Sequence, residues 1–399
     1  MDDLDLDRRL HEEGSVFRES HTWVAAPQRR APRRRRALLL PIAAGVATAA
    51  LVGVVALVLP SDPAPSRARP LASAGASAPP AGGRSEAIAL PIQGLNDIDL
   101  GQDVVAVSYV APGQASRGHL RVLARSNLAS VVFSATTSYT AGTLSCLALD
   151  GNWLLWTDNE SIPSDLDPGP LTRSSVWVAD LRTGDKSMVQ ERRATDALAD
   201  GPCPSAAHGT AAWNPSPWEL SKMNLASGTV ATGASTSSQG RVEAVLPSGV
   251  LLTRFHNSTM QIVLLAADGS ERVVREVPGG LQLVGAGDRV VWFEKDPGSD
   301  TEDAGLVRTC TLPTCSDARL LAKDPSSGAG VIGAGFVAWS GLGDSPALRR
   351  FDGGPVPSLA PGYVSFGATA ALGSTFAYVT TTDNATPAEK NTLHLVEMP

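Results

Sequence analysis

Lysine is nearly missing: Lys186, Lys222, Lys295, Lys323 and Lys390 are the only ones in 399 residues, so arginine supplies almost all of the 33 basic side chains. Acids number 40, and the formal net charge is -7. A chain with no basic surplus lacks the electrostatic footprint of a nucleic-acid-binding protein, and none is expected as a partner. Histidine is also scarce, six in all, and no HExxH helix, GxSxG elbow or P-loop occurs. That excludes the compact signatures of zinc peptidases, α/β-hydrolases and nucleotide hydrolases. Aromatics make up only 5%, whereas 38 glycines and 29 prolines imply a chain broken by many turns.

One long apolar run is present. Ala37 to Leu59 carries no charge over 23 positions, a helix of about 34 Å against a hydrocarbon core of about 30 Å. Arg29, Arg30 and Arg33 to Arg36 precede it, and only Arg67 and Arg69 follow closely. The positive-inside bias therefore puts residues 1–36 in the cytoplasm and everything after Pro60 outside it. A cleaved signal peptide competes with this reading, but its apolar core runs to about 15 residues, so the length favours an uncleaved single-pass anchor in the plasma membrane. The tail has nine Arg against seven acids, leaving 24 basic and 33 acidic residues for the exported part. Leu6 and Leu10 suit a short helix in that tail, which is read as setting topology. Residues 60–86, rich in Pro, Ala, Ser and Gly, read as a spacer, and 87–399 as one exported domain.

The domain repeats itself. "VGAGDRVVWFEKD" (Val284 to Asp296) returns as "IGAGFVAWSGLGD" (Ile332 to Asp344), and aligning a glycine with the end of an apolar run yields seven anchors: Ala106, Trp156, Trp213, Thr253, Trp292, Trp339 and Tyr378. Their spacing, about 40 to 50 residues for short strands, is the period of propeller blades. Hairpin signals at Gly184 and Gly269 supply the last two strands of two units. Val290, Val291, Trp292 and Phe293 are apolar without alternation, as a strand buried on both faces requires. The expected fold is all-β, a propeller of about seven four-stranded blades, with six to eight left open by the 57-residue gap after Trp156. A β-sandwich with glycine-rich turns is the competing fold. The last unit runs out after its third strand, so "AIALPI" (Ala87 to Ile92) is expected to close the ring.

The G-x-x-V-A-W strand and the "VWVADLRTG" hairpin resemble TolB-like and WD40-like β-propellers, in particular membrane-anchored ones of actinobacteria. The resemblance covers about Ala87 to Pro399. The Gly-His and Trp-Asp pairs of true WD40 repeats are lacking, so the resemblance implies a scaffold and no catalytic residues.

All four cysteines fall on the exported side, in an oxidising compartment. Cys310 and Cys315 bracket an expected hairpin turn and are expected to pair. Cys146 and Cys203 each stand ten residues before an anchor tryptophan, at the same station in adjacent blades, which permits a bridge between innermost strands. No histidine stands at zinc-ligand spacing from either pair.

Long irregular loops follow the second strands, and long loops on a rigid scaffold carry recognition. The candidate binding-face residues are Asp158, Glu160, Asp165, Asp167, Trp218, Asp296, Asp300, Glu302, Asp303 and Asp383. Asp158, Glu160, Asp165 and Asp167, or Asp296, Asp300, Glu302 and Asp303, offer calcium several carboxylates, but neither set has the spacing of an EF-hand loop, and solvated loop charge is the simpler reading. No cofactor, metal or catalytic residue is assigned. Trp156, Trp213, Trp292 and Trp339 are read as blade packing and not as a sugar-stacking platform. The functional expectation is a non-catalytic binding or sensing module at the cell envelope, with a protein or envelope component on the loop face. The alternative is a propeller hydrolase or lyase acting on envelope glycan or peptide, and a third reading is signalling through the tail. A channel lined by convergent acids or histidines would favour the enzyme, and one lined by small or apolar residues the scaffold.

Overall fold

The computed structural model describes residues 85–398 apart from 91, 93, 112–113, 115–116, 162–170, 199–201, 217–218, 236–239, 299–304, 325–329, 340–345, 361–362 and 382–390. The expected tail, the apolar run 37–59 and the spacer up to residue 84 lie outside the described residues. Everything described belongs to one compact unit, Pro65–Pro399.

The strands assemble into seven antiparallel sheets. Blade 1 holds β2 (Gly94–Leu100), β3 (Val104–Val110), β4 (Gly118–Ala124) and β5 (Asn127–Thr136). Blade 2 holds β6 (Gly142–Asp150), β7 (Trp153–Ser161), β8 (Leu171–Asp180) and β9 (Asp185–Leu198). Blade 3 holds β10 (Ser205–Ala207), β11 (Thr210–Ser216), β12 (Glu219–Asn224) and β13 (Val230–Ser235), and blade 4 holds β14 (Arg241–Leu246), β15 (Gly249–His256), β16 (Thr259–Leu265) and β17 (Glu271–Pro278). Blade 5 holds β18 (Gly280–Ala286), β19 (Arg289–Lys295), β20 (Gly305–Thr311) and β21 (Arg319–Asp324), and blade 6 holds β22 (Gly330–Gly333), β23 (Phe336–Trp339) and β24 (Ala347–Arg350). Blade 7 joins β25 (Tyr363–Leu372), β26 (Thr375–Thr381) and β27 (Asn391–Glu397) to β1 (Ser85–Leu90) from the start of the domain. The seven-bladed ring and its closure by the first strand are as expected. β1 begins at Ser85, two residues before the expected boundary.

Second strands sit between neighbouring blades, and alternate side chains serve alternate neighbours. Val290 and Trp292 of β19 pack with Leu251, Met260 and Ile262 of blade 4, while Val291 and Phe293 pack with Val337 and Trp339 of blade 6. A run with no polar member is therefore required there. Two of the seven anchors are corrected by the register. Trp156, Trp213, Trp292, Trp339 and Tyr378 each stand three residues beyond the closing pair of a two-residue hairpin, Asp150↔Trp153 in blade 2 and Ala286↔Arg289 in blade 5, for example. The motif glycine occupies a turn position at positive φ, Gly287 at 61° and Gly335 at 84°, where a side chain is strained. It is the first turn residue in blades 2, 5 and 7 and the second in blades 3 and 6, which is why its distance to the anchor alternates between five and four. In blade 4, Gly249 instead pairs with Leu246, and in blade 1 Gly101 donates to the Val104 carbonyl. The equivalents are thus Leu252 and Val107, one residue from Thr253 and Ala106. A one-residue slip turns a strand side chain to the opposite face: Leu252 packs toward blade 3 and Val107 toward blade 7, whereas Ala106 packs toward blade 2.

Blade 6 departs from the four-stranded expectation. Beyond β24 the described residues 351–360 form no strand. Pro355 and Pro357 lack the N–H groups a ladder needs, and the segment crosses to blade 7, where the Ala360 N–H donates to Tyr378 Oη at 2.8 Å.

Both disulfides are formed. Cys310 and Cys315, with Cα atoms 4.9 Å apart, close the β20–β21 turn. Cys146 and Cys203, 5.1 Å apart, tie β6 of blade 2 to the entry of blade 3.

Candidate functional site

The seven innermost strands surround a central channel of about 740 Å³. Its walls mix small and apolar side chains, among them Ala148, Ala206, Ala244, Val331 and Ala370, with the ionisable Asp99, Asp150, His208, Glu243, Asp288 and Arg289. Innermost strands of neighbouring blades are not laddered together as one sheet, so backbone N–H groups on the channel side need other acceptors. Side chains of the preceding blade provide them. Asp97 Oδ2 accepts the Leu147 N–H at 2.7 Å, and Asp99 Oδ2 accepts the Leu149 N–H at 2.6 Å. Their Oδ1 atoms accept the Ile98 and Leu100 N–H groups at 2.9 and 2.8 Å. The same device recurs between blades 3 and 4, where Ser205 Oγ accepts the Val245 N–H at 3.1 Å. Asp150 Oδ2 accepts the Gly209 N–H at 2.5 Å between blades 2 and 3. Glu243, also facing the channel, is held by Arg241 Nε at 2.8 Å.

Asp97 and the channel-lining Asp99 and Glu243 are not singled out by the sequence analysis. The signal for Asp97 and Asp99 is "NDIDL" (Asn96 to Leu100), acids alternating with apolar residues in an innermost strand. Burial pushes the Asp97 carboxyl up to about 8, the neighbouring Asp99 charge adding to it and the N–H donors opposing it. Burial likewise pushes Asp99 up to about 7 and raises Glu243. A carboxyl raised in the fold holds a proton that the unfolded chain has released, so its contribution to stability is full below about pH 4 and is lost as pH rises toward 8. His119 and His394, which burial holds below the ordinary range, act in the opposite direction near pH 6. The exposed acids with lowered values, Asp352 for example, contribute nothing between pH 5 and 8.5 because they are ionised in both states. Comparing wild type with Asp97→Asn isolates the carboxyl. From pH 5 to pH 8.5 the wild type is expected to lose stability relative to the variant, on the order of a few kcal/mol, in urea titrations at the two pH values. Parallel pH profiles for the two proteins would refute the assignment.

The loop-face residues divide. Asp158 is buried, 1% exposed, and braces the connection from blade 1 to blade 2. It accepts Thr137 Oγ1 at 2.5 Å, the Ser138 N–H at 2.8 Å and Ser138 Oγ at 2.6 Å. Glu160 pairs with Arg173 Nε at 3.2 Å and accepts Thr172 Oγ1 at 3.0 Å. Asp296 accepts the Gly298 N–H at 3.0 Å and faces Lys323 Nζ at 3.4 Å, the first of which holds it below the usual carboxylate range. Asp165, Asp167, Trp218, Asp300, Glu302, Asp303 and Asp383 lie outside the described residues. Among the described residues no three His, Cys, Asp or Glu side chains gather as metal ligands do. The four tryptophans Trp156, Trp213, Trp292 and Trp339 are buried between blades, in keeping with a packing role.

No protein-family model matches the sequence, and no curated protein does. The fold has solved counterparts. The β-propeller domain of the trilobed protease from Pyrococcus furiosus, a propeller of open velcro topology, is 12% identical, with 76% of this chain and 92% of that chain covered at a TM-score of 0.52. The acylaminoacyl peptidase of Pyrococcus horikoshii is 13% identical over 72% of this chain and 49% of that chain, with a TM-score of 0.48. At such identity the likeness is one of fold alone. In the present chain the ring is closed by a shared blade, β1 pairing with β27 from Ser85↔Val396 to Leu90↔Asn391.

Proposed function

We propose that this chain is a non-catalytic binding module outside the cytoplasm, anchored in the plasma membrane by residues 37–59 and meeting an envelope component with its loop face. The observation that carries the reading is the state of Asp97 and of the channel-lining acids Asp99 and Glu243. Asp97 and Asp99 each accept two backbone N–H groups, and Glu243 is paired with Arg241. The bonds of Asp97 and Asp99 fasten blade 1 to blade 2, and much of the remaining channel wall is small or apolar. Two disulfides agree with an oxidising compartment. The connections β7–β8, β11–β12, β19–β20 and β26–β27 all join second to third strands and so leave the ring on one face.

The ring is closed by residues within 85–398, so a fragment from Ser85 to Pro399 is a suitable probe. Immobilised on beads and exposed to solubilised envelope, it is expected to retain one component, and replacing residues 162–170 by a short Gly-Ser linker is expected to release it. Retention unaffected by any of the four loop replacements would remove the loop face from consideration. A second reading rests on one observation: Asp99, with a carboxyl near neutrality, borders a channel large enough for a sugar or peptide unit. It is the propeller hydrolase or lyase. Cleavage of envelope glycan or peptide by the fragment, abolished in Asp99→Asn, would replace the binding module with that enzyme.

A further inference from the structure

A second cavity, of about 140 Å³, lies between the closing strand β1 and blade 1 and shares no lining residue with the channel. Its origin is in the register. Five blades turn a Trp or Tyr toward the preceding blade at the position three residues past the first hairpin. Blade 1 turns Val107 toward blade 7, leaving unfilled the volume that a large ring takes elsewhere. Leu90, Ile92, Leu123 and Leu128 complete the walls, and Val131, 50% exposed, stands at the rim.

One charged side chain borders this apolar space. The Arg121 guanidinium lies 5.5 Å from the centre of the Tyr109 ring, on which His119 also stacks with its ring centre 5.5 Å away. Arg117, His119 and Arg121 are alternate residues of one extended segment and share a face. Among the described residues neither Arg117 nor Arg121 forms an ion pair with an acid. Burial holds His119 below its ordinary range, and the Arg117 and Arg121 guanidiniums add to that effect. In a domain with a surplus of acids, this is a cationic rim on an apolar cleft.

We propose that the cleft binds a small apolar carboxylate, with its hydrocarbon part against Leu90, Ile92 and Val107 and its carboxylate on Arg121. An aliphatic cavity of roughly 150 Å³ takes benzene, so an isobutyl or phenyl group fits. Planar bidentate pairing makes arginine the suited partner for the acid end. A free acid and the C-terminal residue of a peptide present the same chemistry. The inference does not depend on the function proposed above.

The test is titration calorimetry of the purified full chain with N-acetyl-leucine, 3-phenylpropionate and a hexapeptide ending in leucine, beside N-acetyl-leucinamide. The acids are expected to bind saturably at millimolar concentration and the amide about tenfold more weakly. Arg121→Met, which keeps the packing of the stem, is expected to weaken the acids about tenfold, and Val107→Phe to abolish binding by filling the cavity. Arg121→Met keeps the question decidable if Val107→Phe does not fold. Tighter binding of the peptide than of N-acetyl-leucine identifies a chain terminus, and the reverse a free acid; either upholds the site. Equal affinity for acid and amide, unchanged affinity in Arg121→Met, or no saturation by any acid overturns it.

Discussion

A chain beginning at Gly94, and so lacking β1, is expected to lose its cooperative melting transition or to melt at least about 10 °C below one beginning at Ser85. Deletion removes the six-residue pairing with β27 and two buried side chains, Leu90 at 6% and Ile92 at 2% exposure. Burial of two such side chains accounts for about 4 kcal/mol. The consequences go further than that sum. Asn391 Nδ2 loses its 2.9 Å bond to the Ile92 carbonyl, Leu393 and Leu395 lose their cover, and β27 becomes a free edge. Differential scanning calorimetry of the two chains decides the matter, with limited proteolysis reporting whether cleavage concentrates in blade 7. Equal melting temperatures would mean that the ring does not depend on its first strand.

Trp292→Ala is expected to cost about 3–5 kcal/mol in urea unfolding, and Val107→Ala no more than about 2 kcal/mol. The two residues hold the same position in blades 5 and 1, but they differ in what surrounds them. Trp292 is fully buried, its indole Nε1 donates to Glu294 Oε2 at 2.8 Å, and Arg275 lies over its ring at 5.1 Å. Truncation leaves a large void in a close-packed interface and removes one of the donors to Glu294, which keeps Arg308. Val107 already borders a cavity, so losing two methyl groups enlarges a space that exists. Similar costs at the two positions would contradict the cavity beside Val107.

Much of the ring was legible in the sequence because its elements repeat. Trp156, Trp213, Trp292, Trp339 and Tyr378 declare themselves by size, and a large ring has one place in a blade. Ala106 and Thr253 misled because a small residue at the end of an apolar run carries no such mark, and the glycine used to align it belongs to a strand pair in one case and opens a wider turn in the other. The closing role of Ala87 to Ile92 followed from counting strands. That the described residues after β24 form no fourth strand is legible in Pro355 and Pro357, which override the repeat there. Of the loop acids, Asp158 looks in sequence like its neighbours. Only the surrounding Thr137 and Ser138 donors turn it from a surface charge into an internal brace.

The sequence by itself determined the all-β class, the period of the blades, the buried second strands and the residues that meet at closure. All of these follow from local patterns of apolarity and turn chemistry along the chain. Tertiary structure alone decided which acids face the channel, that Asp97 and Asp99 serve the N–H groups of another blade, and that Val107 leaves a cleft beside Arg121. Those facts join residues about 50 positions apart or depend on a one-residue register, and neither chain distance nor facing direction is written in the identity of a single side chain.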